Sequence, residues 1–171
     1  MTTETLELPG HAIRDRVQTP GIIRVKRILV LLDFSEMSLN SLDYAVPFAR
    51  LFGAGITLLH IVPTEYPTDF PYPPPFDKKE MAALQKQLED IRIAKIPPEM
   101  PVTAIVRQDS VFEGIIEVAR DIRADLVIIT THGRTGLKRL LMGSTAEQIA
   151  RDAPCPVLVV REVENEFVRP C

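Results

Sequence analysis

The sequence predicts a single parallel β-sheet with α-helices on both of its faces. Short apolar runs alternate along the chain with segments whose apolar residues recur at helical spacing. An uninterrupted apolar run is typical of a strand that is covered on both faces, as the strands of a parallel sheet are. The helical segments between the runs would form right-handed crossovers, so the chain is expected to build one open α/β sheet.

The first strand and helix are predicted near residue 28. The apolar run 28–32 ends at Asp33, and residues 35–55 then carry apolar side chains at helical spacing. Either Asp33 or Ser35 is suited to cap this helix. Pro47 lies within it and is expected to kink the helix or to shift its start.

The second and third strands are separated by an unusual segment. Residues 56–62 form the second predicted strand, in which His60 is expected to be a hydrogen-bonded core histidine. Residues 63–77 contain six prolines in 15 residues, which predicts a stiff, extended loop. A helix over residues 78–96 and a third strand over residues 102–108 come next.

Two Ser-x-x-Glu capping boxes introduce the remaining helices. Ser110 and Glu113 open the first, and Ser144 and Glu147 open the second, which is expected to run to about Arg151. The apolar face of the first comprises Phe112, Ile115, Ile116, Ala119 and Ile122. The fourth and fifth strands are predicted over residues 124–130 and 155–163.

The composition agrees with one domain. The 171 residues are enough for one sizeable core and too few for two comfortable domains. A formal net charge of -3 gives no basic field to attract nucleic acid, and no apolar run reaches the ~18 residues of a membrane span. We expect residues 25–162 to form the domain, 1–24 an N-terminal arm and 163–171 a C-terminal tail.

Cysteine usage favours a reducing cytoplasm. Cys155 precedes the last apolar run and is expected to be a small buried thiol, and Cys171 is the final residue. Neither position fits a disulfide framework or a metal site. The opening stretch MTTETLELPG carries acids and no apolar core, so no secretory signal is expected.

Two segments with ligand-binding character follow predicted strands. In an open parallel sheet, ligands bind beyond the carboxyl ends of the strands, where the strand order reverses. Asp33 follows the first strand, and Thr131, His132 and Gly133 follow the fourth. The two segments would face each other only if those strands are neighbours, which their sequences alone do not determine.

The stretch THGRTGLKRLLMGST, residues 131–145, has the parts of an anion site. Gly133 and Gly143 allow a ligand to approach the backbone closely. Gly143 also precedes a predicted helix N-terminus, where free N–H groups and the helix dipole favour phosphate. The hydroxyls and positive charges of the stretch are Ser144, Thr145, Arg134, Lys138 and Arg139.

Each of these features also has a purely structural interpretation. A Gly-Ser pair before a helix is often only a cap, and His132 can equally orient its loop through a backbone hydrogen bond. The sequence has no Walker phosphate loop and no G-x-G-x-x-G motif after the first strand. No Ser-His-Asp or Cys-His arrangement and no metal-ligand spacing can be assembled, so no catalytic residue and no metal ligand is assigned.

Three stretches resemble the universal stress protein family. They are ILVLLDFSEMS at the first strand, ITLLHIV at the second and THGRTGLKRLLMGSTAEQIARDAPCPVLVV at the end. The resemblance covers residues 25–161, and its last stretch is the most specific. It implies a Rossmann-like sheet with strand order 3-2-1-4-5, in which Asp33 and Gly133 would lie around one crevice.

The resemblance implies that the ligand is ATP. The nucleotide-binding branch of the family carries Gly-x2-Gly-x9-Gly-[Ser/Thr], and this sequence matches the second half of that pattern at Gly133, Gly143 and Ser144. Thr130 stands where the pattern has its first glycine. Its side chain would either narrow the space for the ribose or point into the core.

The resemblance also implies roles for individual residues. Asp33 would lie near the adenine and ribose, while the backbone around Leu32 and Ile61 would flank the base. His132 and Gly133 would lie beneath the sugar and phosphates, and the segment from Gly143 to Thr145 would hold the phosphates. The implied nucleotide site therefore comprises Leu32, Asp33, Ile61, Thr130, Thr131, His132, Gly133, Arg134, Gly143, Ser144 and Thr145.

A homodimer is expected through the last strand. The apolar residues from Val157 to Val160 would lie at the sheet edge with unpaired backbone groups, and pairing with a second copy would satisfy those groups. The resemblance implies dimerisation of this kind.

The favoured function is an ATP-binding, nucleotide-responsive dimeric stress-response module. One alternative is a slow ATP hydrolase in which Asp33 or His132 orients water, with Mg²⁺ on the phosphates. Another is a nucleotide-free dimeric scaffold in which Thr130 blocks the pocket and residues 63–77 recruit a partner as a polyproline surface. Residues 63–77 can also be a rigid loop or a lid over the nucleotide site.

Overall fold

A computed structural model of the protein describes residues 21–64, 76–131 and 144–161. The predicted tail, residues 1–20 of the predicted arm and most of the proline-rich segment lie outside these ranges. The elements in chain order are β1 (Arg27–Leu31), α1 (Glu36–Leu39), α2 (Ser41–Phe52), β2 (Gly55–Pro63), α3 (Lys78–Lys95), β3 (Val102–Asp109), α4 (Val111–Asp121), β4 (Leu126–Thr130), α5 (Ser144–Asp152) and β5 (Val157–Val160).

The five strands form one parallel sheet in the order β3-β2-β1-β4-β5. The central strand β1 pairs in parallel with β2, where Leu31 lies opposite Leu59, and with β4, where Val30 lies opposite Ile128. β3 and β5 are the two edge strands. The predicted fold class and strand order are confirmed.

Side-chain alternation divides the core into two clusters, one on each face of the sheet. In β1, Ile28 and Val30 belong to the cluster that includes residues of α2 and α3. Leu29 and Leu31 belong to the cluster that includes residues of α4 and α5. Three of these strand residues are inaccessible to solvent and Leu31 is 8% exposed, as the uninterrupted apolar run predicts.

The helix predicted over residues 35–55 is two helices, because the chain is interrupted at Asn40. Two serine hydroxyls donate to carbonyl oxygens at this point, from Ser38 to Ser35 at 2.9 Å and from Ser41 to Ser38 at 2.5 Å. Side-chain bonds of this kind compete with the regular helical pattern. Pro47 lies inside α2, seven residues beyond the interruption, so the break comes from the serines and not from the proline.

Helix α3 begins with a capping box that was not predicted. The carboxylate of Asp77 accepts hydrogen bonds from the backbone N–H groups of Lys79 and Glu80, both at 2.8 Å. Glu80 accepts in return from the N–H of Asp77 at 2.7 Å. The Asp-x-x-Glu spacing is the usual signal of such a box, but it was hidden at the end of the proline-rich segment.

The capping box predicted at Ser110 does not form, although α4 does begin there. The side chain of Ser110 makes no capping bond to the backbone of α4. Its hydroxyl instead donates to the carboxylate of Glu113. Ser110 therefore bonds to a side chain and not to the backbone N–H that a capping box requires. The predicted apolar face is correct. Ile115, Ile116 and Ala119 are buried, and the partly buried Phe112 and Ile122 pack against the core cluster that contains Ile115 and Ala119.

The edge strand β3 is bound along its outer side by one glutamine of α3. The side-chain amide of Gln85 donates to the carbonyl oxygen of Ala104 at 2.9 Å and accepts from the N–H of Val106 at 3.1 Å. Groups of alternate residues point to the same side of a strand, so both are directed away from β2. We call this pair of bonds the Gln85 clasp.

Cys155 is half-buried and not fully buried as expected. It packs against the cluster under α4 and α5. Burial raises the pKa of the Cys155 thiol, and the negative charge of Asp125 raises it further, so the thiol form is favoured.

Candidate functional site

The carboxyl ends of β1, β2 and β4 lie side by side and form the candidate site. The crossover after β1 runs over the face of α1 and α2, whereas the crossover after β4 leads to α5 on the opposite face. Such a reversal opens a crevice between the two strands. Continuing the β1–β2 and β1–β4 registers by two residues brings Asp33 level with Ile61, and Leu32 level with Thr130.

Leu32 contributes backbone to this edge and its side chain to the core. Its side chain is 3% exposed, its N–H donates to the carbonyl oxygen of Leu59 at 2.9 Å, and its own carbonyl oxygen lies 2.7 Å from Nδ1 of His60. It is therefore the main chain of Leu32, and not its side chain, that lies at the position predicted to flank the ligand.

Asp33 is half-buried and organises the turn into α1. Its carboxylate accepts hydrogen bonds from the N–H of Ser35 at 3.0 Å and from the Ser35 hydroxyl at 2.5 Å. The Ser35 oxygen in turn accepts from the N–H of Ser38 at 3.1 Å, which makes Ser35 the N-cap. Of the two predicted capping candidates, Ser35 is the cap and Asp33 orients it.

Ile61 is buried at the end of β2 and packs toward α4. Its side chain lies close to the backbone of Gly114, beside Asp109 at the end of β3. Arg107 forms ion pairs with two adjacent carboxylates, with Asp109 at 2.5 Å and with Glu117, so the cluster carries one net negative charge. The hydrogen bond to Glu117 and the interactions with Asp109 raise the pKa of Arg107, which stays a cation.

Thr130 ends β4 and Thr131 follows it, and both are buried, with 7% and 9% exposure. The N–H of Thr131 donates to the carbonyl oxygen of Val160 at 2.9 Å, so the β4–β5 ladder continues to the edge. Ile128 belongs to the core under α2 and α3, and alternation puts the Thr130 side chain on that same face. The side chain of Thr130 is thus accommodated in the core between the sheet and the helices α2 and α3.

The segment from β4 to α5 lies largely outside the described residues. His132, Gly133, Arg134 and Gly143 belong to it, and so does the side chain of Ser144. The backbone of α5 begins at Ser144, as the predicted phosphate-binding helix requires, and Thr145 in its first turn is half-buried. The second predicted capping box lies outside the described side chains.

Two residues of the site were not predicted as site residues. His60 and Phe34 pack against each other beside Leu32 and Asp33, with ring centroids 4.2 Å apart. His60 is 6% exposed, in agreement with the expected core histidine. The sequence places His60 near the end of a predicted strand. It does not reveal that this strand ends beside Asp33.

Two features are absent from the described residues: a metal-binding cluster and a membrane-spanning helix. No group of three or more His, Cys, Asp or Glu side chains in ranges 21–64, 76–131 and 144–161 has an arrangement that could hold a metal ion. Within the same ranges, no helix is long and apolar enough to cross a membrane.

Comparison with known proteins gives one consistent result. The model of the universal stress protein family matches residues 24–161. A universal stress protein of Methanocaldococcus jannaschii, MJ0531, is 29% identical over 146 residues, which cover 82% of this chain and 85% of the relative. One of Thermus aquaticus is 31% identical over 143 residues, which cover 80% of this chain and 98% of the relative.

Solved structures share the fold. That of MJ0577 has a TM-score of 0.64 at 24% identity and covers 84% of this chain and 100% of its own. A universal stress protein in complex with cAMP has a TM-score of 0.57 at 20% identity, with coverage of 81% and 98%. One from Archaeoglobus fulgidus in complex with dAMP has a TM-score of 0.54 at 18% identity, with coverage of 81% and 98%.

Proposed function

The chain belongs to the universal stress protein family, and from this premise we propose that it binds ATP at the carboxyl edge of its sheet. Nucleotide occupancy would alter the shape or the partners of a dimer, which makes the protein a stress-response module in the cytoplasm. In this proposal the protein is a binding module, and any ATP hydrolysis is weak.

One observation carries the proposal. The ends of β1, β2 and β4 converge, so that Leu32, Asp33, Ile61 and Thr131 share one edge at a reversal of strand order. Thr131 lies at this edge, α5 begins at Ser144, and the sequence that joins them carries the Gly-x9-Gly-Ser spacing. A helix N-terminus in that position suits phosphate groups.

The known complexes support a nucleotide as the class of ligand. The relatives of this fold that were solved with cAMP and with dAMP bind adenine nucleotides that carry one phosphate. For this chain we propose ATP in particular. Ser144 and Thr145 follow Gly143, and their hydroxyl groups would donate hydrogen bonds to the additional phosphates.

The described residues fit the base and sugar portion of such a ligand. The half-buried carboxylate of Asp33 is an acceptor suited to a ribose hydroxyl. The main chain at Leu32 and at Ile61 would flank the base, and His132, Gly133 and Arg134 would approach the phosphates. Mg²⁺, where present, would be bound chiefly by the phosphates, since no described cluster offers it a protein cage.

The experiment is a calorimetric titration of nucleotide-stripped protein with MgATP. Micromolar affinity is expected for the unaltered chain. Gly143→Val should abolish it, because a β-branched side chain would obstruct the approach of phosphate to the backbone. Gly21→Val is the matched control, since Gly21 is exposed with no atom within 4 Å of an added Cβ.

The outcomes distinguish the alternatives. No binding at millimolar ATP would contradict the proposal and favour the nucleotide-free scaffold. Binding with phosphate release that Asp33→Ala eliminates would favour the hydrolase. Equal loss in both glycine variants would mean that valine acts on folding and not on phosphate binding.

A further inference from the structure

His60 contacts both residues that flank Asp33. Asp33 lies between Leu32, the last residue of the β1 segment to enter the core, and Phe34, which begins the turn into α1. The imidazole of His60 reaches the main chain of Leu32 and the ring of Phe34. No other titratable side chain among the described residues is as deeply buried at this edge of the sheet.

The first contact defines the protonation of the ring. Nδ1 of His60 lies 2.7 Å from the carbonyl oxygen of Leu32. A carbonyl oxygen only accepts hydrogen bonds, so Nδ1 must carry a proton and donate. The bond holds the carbonyl at the last peptide unit before Asp33 and so limits rotation of the chain there.

The second contact supports a strained residue. Phe34 has a φ of 66°, a left-handed conformation that bulky residues rarely adopt. Its ring lies 4.2 Å from the His60 ring, with the planes tilted by 44°, a favourable arrangement for aromatic groups. Strained backbone persists where its surroundings hold it, and it clusters at ligand sites.

Between these contacts, the Asp33 carboxylate bonds to the N–H and hydroxyl of Ser35. We propose that His60 is a positioning residue for the nucleotide site, which holds Leu32 and Phe34 so that the Asp33 carboxylate is oriented toward the ribose before ATP binds. This inference rests on the proposed function. His60 acts through its neighbours and need not contact the nucleotide.

Two variants separate the two contacts. His60→Phe keeps a ring against Phe34 but removes the Nδ1 donor, while His60→Asn keeps a donor near that position but removes the ring. Loss of the Nδ1 hydrogen bond would release the main chain before Asp33, so His60→Phe should weaken ATP binding about tenfold, the order of magnitude of one hydrogen bond. His60→Asn should recover part of that loss through the restored bond to Leu32.

Leu58→Val is the matched control. Leu58 lies on the same strand and the same face as His60, is fully buried and belongs to the same core. It should lower the urea midpoint, yet change the ATP affinity less than twofold, because Leu58 lies opposite Val30, three residues before Asp33. An equal loss of affinity in Leu58→Val and His60→Phe would overturn the proposal, since core stability alone would then explain both.

Nitrogen NMR of the imidazole provides a readout without ligand. The proposal requires a proton on Nδ1, and an Nε2-protonated neutral tautomer would overturn it. If the unaltered chain binds ATP and His60→Phe binds it equally well, only the positioning role fails. If the unaltered chain binds no nucleotide, the proposed function fails and the positioning role fails with it.

Discussion

At the scale of single residues, Gly114 determines how closely α4 approaches the strand ends. A Cβ atom added there would lie 2.9 Å from the Cβ of Asp109 and 3.1 Å from Cδ1 of Ile61. β2 and β3 thus meet α4 at a position that only glycine fills without displacement. The glycine is required here for space and not for an unusual backbone angle.

We therefore expect Gly114→Ala to destabilise the protein, although alanine is the better helix former. The usual helix gain of ~1 kcal/mol would be outweighed by overpacking, which costs roughly 1–3 kcal/mol. The free energy of unfolding in urea should fall by about 1 kcal/mol. Gly21→Ala, at an exposed position with free space, should leave it unchanged. A higher urea midpoint for Gly114→Ala would show that α4 moves away without cost.

Individual site residues were predictable to different degrees. Asp33 and Thr131 could be named from the sequence, because each follows an apolar run and the carboxyl ends of parallel strands share an edge. The contacts of His60 with Leu32 and Phe34 could not, because they depend on strand register and on the left-handed turn at Phe34. The Ser110 hydroxyl was misjudged because the sequence does not determine whether it bonds to the backbone or to Glu113.

At the scale of elements, the two edge strands differ in how their outer backbone groups are satisfied. On β5, the carbonyl oxygens of Pro156 and Val160 accept from β4, so the groups of Val157 and Val159 point away from the sheet. On β3, the Gln85 clasp binds two of the outward groups, the carbonyl oxygen of Ala104 and the N–H of Val106. The contrast favours β5 as the strand through which the proposed homodimer forms.

Val159→Pro should dissociate such a dimer with little effect on the fold. Proline removes the outward N–H of Val159 and leaves the bonds between β4 and β5 intact, and proline is tolerated at edges for this reason. Light scattering at micromolar concentration should report a dimer for the unaltered chain and a monomer for Val159→Pro. Val159→Ala, which keeps the N–H, is the control and should remain a dimer. A monomer for the unaltered chain would exclude the dimer.

The existence and type of the elements were predictable, but their boundaries were less so. Every predicted strand is present, because apolar runs covered on both faces leave few alternatives. β5 is much shorter than the strand predicted over residues 155–163, since strand length depends on the partner strand, and β4 ends at Thr130. The break at Asn40 arises from serine side-chain bonds that propensity does not register.

At the scale of the whole molecule, Asp125 joins segments that are far apart in sequence. Its carboxylate accepts from the N–H groups of Lys26 and Arg27, at 2.8 and 2.9 Å, and lies 3.5 Å from the Arg27 guanidinium. Partial burial alone would raise the pKa of Asp125, but these hydrogen bonds and the Arg27 charge bring it below its ordinary value of 3.8. The carboxylate form therefore stabilises the start of β1 against the start of β4.

This depressed pKa determines the sign of a pH effect. A carboxyl whose folded pKa lies below its unfolded pKa contributes stability above 3.8, and that contribution is lost as the pH falls through the folded value. Asp125→Asn should thus lower the free energy of unfolding by about 1 kcal/mol at neutral pH. The difference from the unaltered chain should shrink toward about pH 3.

Urea unfolding at both pH values checks the expectation. Asp90→Asn is the control, because Asp90 pairs with Lys86 on the exposed surface of α3, where such pairs contribute little. A difference for Asp125→Asn that stays constant or grows on acidification would contradict the linkage and assign the effect to packing.

The Gln85 clasp has a consequence for how copies of the chain can assemble. A sheet with two open edges can join edge to edge without limit, since each added copy presents a fresh strand, and such head-to-tail growth produces filaments. A sheet with one open edge can join only one other copy through a twofold axis, and the assembly then closes. Because the Gln85 clasp occupies two outward backbone groups of β3, the proposed dimer through β5 would close as a finite, symmetric particle.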